Sequence, residues 1–206
     1  MTNTSSCLTH SSRDAILDWL NDHVPKSRLQ HILRVEKFSA KLAQHHGVDP
    51  DYAAQAGLMH DLAKYFKPKK LLKMAKKEGL VIDPILEANP HLLHADVSAI
   101  VARDTFGVTD CGMLEAIANH TLGQPGMNQL SCIVFLADSL EPGRGDTDIL
   151  QTLRQVSQEN LQQAVYMNCD YTLQYLIKTQ RAIHPRVIET RNWFLKSTKT
   201  ATTPST

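Results

Sequence analysis

Six side chains of metal-ligand type interrupt apolar stretches of this 206-residue chain. His31 lies in LQHILRV, His60 and Asp61 in AGLMHDLAKY, His94 in HLLHADVSAI, His120 in AIANHTLG and Asp138 in IVFLADSLEPGR. Burying such a group without a partner costs roughly 2–7 kcal/mol, so something must compensate each of them. One such histidine alone reads as a core residue bonded to a carbonyl. Six groups from five segments read as a shared site, because facing helices of a bundle build metal centres in this way. Mixed imidazole and carboxylate ligation suits iron, manganese or zinc and disfavours a thiolate centre. A cation in such a centre could act as a Lewis acid, polarising a bound oxygen and lowering the pKa of its water.

The elements that would position these groups are all helical. Ser12 can cap DAILDWLNDH, which stops at Pro25, and Ser27 can cap RLQHILRVEKFSAKLAQHH, closed by Gly47. Asp49-Pro50 signals the start of YAAQAGLMHDLAKYF, which places His60 and Asp61 inside a helix with side chains about 100° apart. Pro68 opens KKLLKMAKKEG. The segments HLLHADVSAIVARDTFG, MLEAIANHTLG and NQLSCIVFLADSLEP follow, each ended by Gly or Pro. A helical pair over 148–180 precedes HPRVIETRNWFLK. No alternating β-branched run predicts a sheet. The expectation is one all-α bundle over residues 11–196, with a flexible N-terminus over 1–10 and a disordered polar tail over 197–206.

Composition narrows the function classes. Lys and Arg number 22 against 21 acidic residues, so no global charge draws the chain to nucleic acid or membrane. No apolar run spans a bilayer, and the polar start is unlike a signal peptide, which makes a cytoplasmic location the expectation. The four cysteines, Cys7, Cys111, Cys132 and Cys169, lack CxxC spacing and read as reduced thiols. Lys64 stands one turn beyond Asp61, Arg28 one turn before His31, and Arg144 just past the turn after Asp138. Each suits phosphate contact, and each is equally readable as a solvated surface charge. Thr121 offers a hydroxyl beside His120. The turn Arg181, Ala182, Ile183, His184, Pro185, Arg186 could meet a base or ribose, or could simply start a last helix packed by Val187, Ile188 and Trp193. His91 rivals His94 as a ligand, His45 and His46 suit a helix C-terminus, and KPKKLLKMAKKEG reads as a solvated face with Leu71, Leu72 and Met74 inward.

The order His31…His60-Asp61…Asp138 resembles that of the HD-domain metal-dependent phosphohydrolases. The longer blocks AGLMHDLAKYF, LLHADVSA, AIANHTLGQPGM and FLADSLEPGR resemble the YqeK family of symmetrical dinucleoside tetraphosphatases, from Arg28 to HPRVIETRN. Ala95 departs from the glycine expected there. The resemblance implies a single-domain HD-type bundle with one or two iron ions, manganese being the alternative. It makes His31, His60, Asp61 and Asp138 the ligands and sets His94 and His120 beside the phosphates. Asp61, Lys64 and His120 would carry catalysis. Arg28, Asp61, Lys64, His94, His120, Thr121, Arg144 and residues 181–186 would hold the substrate. The implied reaction cuts diadenosine tetraphosphate in its middle, giving two ADP. The implied partners are that dinucleoside polyphosphate or ADP, with no nucleic acid and no membrane, and the chain leaves a homodimer open. The alternatives are an HD nucleotidase acting on mononucleotides and a non-catalytic HD module that senses nucleotides.

Overall fold

A computed structural model describes residues 12–201. Residues 1–11 and 202–206 lie outside the described residues, and with them fall the N-terminal segment expected to be flexible and half of the polar tail. The described chain is helical throughout, in eleven α-helices: α1 (Arg13–His23), α2 (Lys26–His45), α3 (Pro50–Met59), α4 (Pro68–Lys77), α5 (Pro84–Ala88), α6 (His94–Phe106), α7 (Cys111–Asn119), α8 (Gln129–Leu140), α9 (Asp148–Glu159), α10 (Leu161–Lys178) and α11 (Pro185–Ala201). Short 3₁₀ turns over Pro90–Leu93 and Pro142–Arg144 lead into α6 and out of α8.

Side-chain caps fix most helix starts. Ser12, Asp49, Asp83, Asp110, Asn128 and Asn160 each accept from a backbone N–H in the first turn that follows. Ser27 is not among them. The second helix starts two residues earlier, at Lys26, with Pro25 in the cap position and no side-chain bond. The last helix also differs from expectation. It runs to Ala201, so residues 197–201 are helix and not tail. The hydroxyls of Ser197 and Thr198 turn back onto carbonyls of the preceding turn, which satisfies them within the helix.

The centre of the bundle is α8, buried continuously from Leu130 to Ala137. A helix apolar all round belongs in a core. It packs against α2, α3, α7 and α10, while α2 also lies along α3 and α6 along α7. Gly57 lets α3 lie close against α2, since a Cβ there would lie 2.7 Å from Ser39 Oγ and 3.2 Å from Glu36 Cα. On α4 only Leu71 and Ala75 are buried, with Leu72 and Met74 half-buried, and its lysines face outward. Among the described residues no helix is long and apolar enough to cross a membrane, and Cys111, Cys132 and Cys169 are free thiols.

A candidate metal centre

The third helix ends at Met59, so His60 and Asp61 do not sit inside it. His60 is its C-cap residue, and Asp61 opens a run of tight turns. The backbone pattern explains the change. Beyond Met59 the bonds shift to i−3 spacing, from Leu62 to Met59, Lys64 to Asp61 and Phe66 to Ala63. The Ala63 N–H leaves the ladder altogether and donates to Ser98 Oγ on α6, at 3.0 Å. His60 itself keeps right-handed helical backbone angles, so its side chain and that of Asp61 still diverge as neighbours on a helix do.

Three of the four inward-facing histidines are locked by one device. His60 Nδ1 donates to Gly57 O at 2.7 Å, His94 Nδ1 to His91 O at 2.6 Å and His120 Nδ1 to Ile117 O at 2.7 Å. Each partner is the carbonyl three residues back, where a helix end or 3₁₀ turn leaves it free. A carbonyl can only accept, so Nδ1 carries the proton and Nε2 presents a lone pair to the site. His31, in the second turn of α2, is held differently. Its Nδ1 lies 3.0 Å from Oε1 of Glu141, whose other oxygen takes Arg34 Nε and the Gly143 N–H, each at 2.5 Å.

The rings form a row in the order His31, His60, His120, His94, with successive centroids 5.4, 4.8 and 4.9 Å apart. The two aspartates lie against this row. Asp138 Oδ1 is 3.0 Å from His31 Nε2 and 3.8 Å from His60 Nε2. Asp61 Oδ2 is 3.3 Å from His60 Nε2, and its Oδ1 is 3.3 Å from His94 Nε2 and 3.6 Å from His120 Nε2. Two overlapping ligand sets result, His31–His60–Asp138 and His60–Asp61–His120, each with its donor atoms within 4.8 Å of one another. The structure thus brings all six residues together, and His120 groups with Asp61 and His60.

Burial by itself raises the Asp61 carboxyl, but the His60 imidazole, with His120 and His94 beside it, overcomes that effect and holds Asp61 well below the usual carboxylate range. Asp138 is likewise raised by burial and pulled far down by His31, His60, Arg144 and His120. His94 moves the other way, lowered to about 4, mainly by burial and by the charges of Lys64 and His120 against the pull of Asp61.

His31 Nε2, His60 Nε2 and Asp61 Oδ1 are buried with no hydrogen-bond partner, and the Nε2 atoms of His94 and His120 face each other at 3.0 Å. Converging imidazole nitrogens and carboxylate oxygens without other partners fit a divalent cation of imidazole and oxygen preference.

Cations and donors stand around the row. Arg28 NH1 is 3.1 Å from Asp61 Oδ2, and Arg144 NH2 is 2.6 Å from Asp138 Oδ1. Lys64 Nζ and Thr121 Oγ1 approach His94 Nε2 at 3.0 and 3.1 Å. All three cations thus stand against residues of the row, Arg28 and Lys64 partly buried and Arg144 from an exposed position. His91 is exposed and contributes only its carbonyl.

The 181–186 turn is at the same end as His94. His91 feels the charges of both Lys64 and Arg181, and Asp96 those of both Arg186 and His120. His184 is buried, with Nε2 2.7 Å from Asp83 Oδ2, while Arg181 and Ala182 are exposed. Of the residues expected to pack the last helix, Val187 is buried but Ile188 and Trp193 are largely exposed, and Phe194 fills the core in their place.

Sequence reasoning missed Glu141 and Arg34, which orient His31. A signal existed: Arg34 follows His31 by three residues, and Glu141 follows an apolar run directly before Pro142.

The sequence profile of the HD domain matches residues 28–143, a span that begins at the first of these cations and ends beside the last. A symmetrical bis(5'-nucleosyl)-tetraphosphatase of Halalkalibacterium halodurans is 32% identical over 188 residues, covering 91% of this chain and 100% of that protein. A protein of the same name from Bacillus subtilis is 30% identical over 184 residues, covering 89% and 98%. The crystal structure of a predicted HD superfamily hydrolase involved in NAD metabolism, from Clostridium acetobutylicum, superposes with a TM-score of 0.86 at 33% identity, covering 91% and 98% of the two chains.

Proposed function

This chain belongs to the HD-domain family, and within it to the symmetrical bis(5'-nucleosyl)-tetraphosphatases, and we propose that it hydrolyses diadenosine tetraphosphate at the central anhydride, releasing two ADP, with iron as its metal and in the cytoplasm. The observation that carries this reading is the convergence of four Nε2 lone pairs and two aspartates on one buried row with cations at both ends.

When bound at the row, the metal supplies charge neutralisation of the polyphosphate and a lowered pKa for water. His31, His60, Asp61 and Asp138 would hold it, and His120 is placed to join them. The remaining work falls to the chain's own groups. Arg28, Lys64 and Arg144 offset phosphate charge, the arginines by forked contact and the lysine as a point charge. His94, neutral at physiological pH, accepts from Lys64 and Thr121 and so holds both donors toward the phosphates. Asp61 Oδ1 has no bonded partner and remains ionised, which suits it to take the proton of the attacking water. The departing group is ADP whichever side water attacks, because the substrate is symmetric about the broken bond.

Product analysis tests the reading. Diadenosine tetraphosphate should yield ADP alone, and Asp61→Ala should abolish turnover. A mixture of AMP and ATP, or an undiminished variant, would refute it.

A further inference from the structure

We propose that the cleft bounded by Ser27, Arg28, Tyr65, Gly143 and Arg144 is a second nucleotide half-site, where Tyr65 stacks on the base of one nucleoside diphosphate half. This rests on the reading above. A dinucleoside polyphosphate broken at its centre presents equal halves on either side of the reacting bond, so each end of the imidazole row must receive a nucleotide. The His94 end has Lys64, Thr121 and the 181–186 turn.

The His31 end opens into a separate cleft of about 240 Å³. Pockets for whole ligands run to roughly 300–1,000 Å³, so this one is sized for part of a molecule. Its wall carries three arginines against one carboxylate, Glu141, which Arg34 neutralises, and Arg28 and Arg144 are already beside the two aspartates. Tyr65 is the aromatic side chain in that wall. It is 50% exposed, and no hydrogen bond engages it among the described residues. A large, half-exposed ring lining the same cleft as two arginines at the edge of a polyphosphate site is what a stacked base requires, and stacking tolerates any base because every base has a π-face. Lys64 and Tyr65, neighbours in the turn after Asp61, thus serve opposite halves of one substrate.

The test compares kcat/KM for diadenosine tetraphosphate with that for adenosine 5'-tetraphosphate, which keeps four phosphates and lacks one nucleoside. Wild-type protein should prefer the dinucleotide. Tyr65→Leu should cut that preference roughly 5- to 100-fold through KM, on the scale of base–aromatic stacking, and Tyr65→Phe, which keeps the ring, should retain it. Three results overturn the inference: no preference in the wild type, an unchanged preference in Tyr65→Leu, or an equal loss in both variants. Failure of the wild type to hydrolyse either compound would instead sink the proposed function, and this inference with it.

Discussion

Glu141 and His31, 110 residues apart, meet at 3.0 Å between Oε1 and Nδ1, and Arg34 clamps the same carboxylate from the far side. Outer carboxylates of this kind fix the orientation and basicity of a ligating imidazole, and their loss costs about 10- to 100-fold in metal affinity. Glu141→Ala should show that loss in a direct metal titration, with activity partly recovered by excess metal. An unchanged isotherm would mean that packing alone orients His31.

Metal removal should destabilise the protein. Binding to the folded state alone, at a hundredfold excess over Kd, contributes about 2.7 kcal/mol. For a chain of this size that is a Tm change of roughly 5–10 °C. Thermal melts with chelator, then with ferrous or manganous ion restored, check this. Coincident curves would show that the row holds no metal.

Asp83 links the stability of α5 to the 181–186 turn. Its carboxyl is lowered by the Leu86 N–H, against a rise from burial, and further by His184 and the Ile85 N–H. Asp83→Ala should cost about 1 kcal/mol through the lost cap. The sign follows from a depressed folded-state pKa. The difference between wild type and variant should be fully present above the ordinary value of 3.8 and vanish as pH falls through the lower, folded value. Denaturation midpoints measured from pH 6 downward will reveal it, and a gap that widens in acid would contradict the assignment. The variant should also raise KM, since His184 loses its partner.

Gly57→Ala tests the close approach of α3 to α2. The added methyl meets the Glu36 backbone as well as the Ser39 hydroxyl, so repacking of one side chain cannot relieve it. Overpacking of this kind costs about 1–3 kcal/mol. Because the Gly57 carbonyl holds His60, metal affinity should fall alongside Tm. A loss of stability with affinity intact would separate the two roles.

In the thiols, burial raises Cys132 and Cys169 to about 12. Alkylation near pH 8 should modify Cys111 in the native protein and reach Cys132 and Cys169 only after unfolding. Mass mapping of the labelled peptides decides it.

The six polar interruptions were legible in the sequence because each breaks an apolar face, and a buried imidazole or carboxylate has few other uses. Their exact stations were not. The helix carrying His60 stops where Ser98, 35 residues later, takes the Ala63 N–H, and no local pattern announces that capture. Ser27 looked like a cap by type, yet Pro25 took the position because its fixed φ suits the residue before a helix. Glu141 escaped notice because an acidic residue before Pro-Gly reads as a turn. Only the return of α8 alongside α2 turns it into a partner for His31.

That return has a consequence for the life of the chain. A polypeptide emerging from the ribosome would expose His31, His60, Asp61 and His94 well before Asp138 and Glu141 are made. Until they are, the ligand set that includes His31 lacks Asp138, and His31 lacks the Glu141 carboxylate that orients it. Full metal uptake therefore waits until the central helix has docked, and the loaded protein is by that fact a finished one.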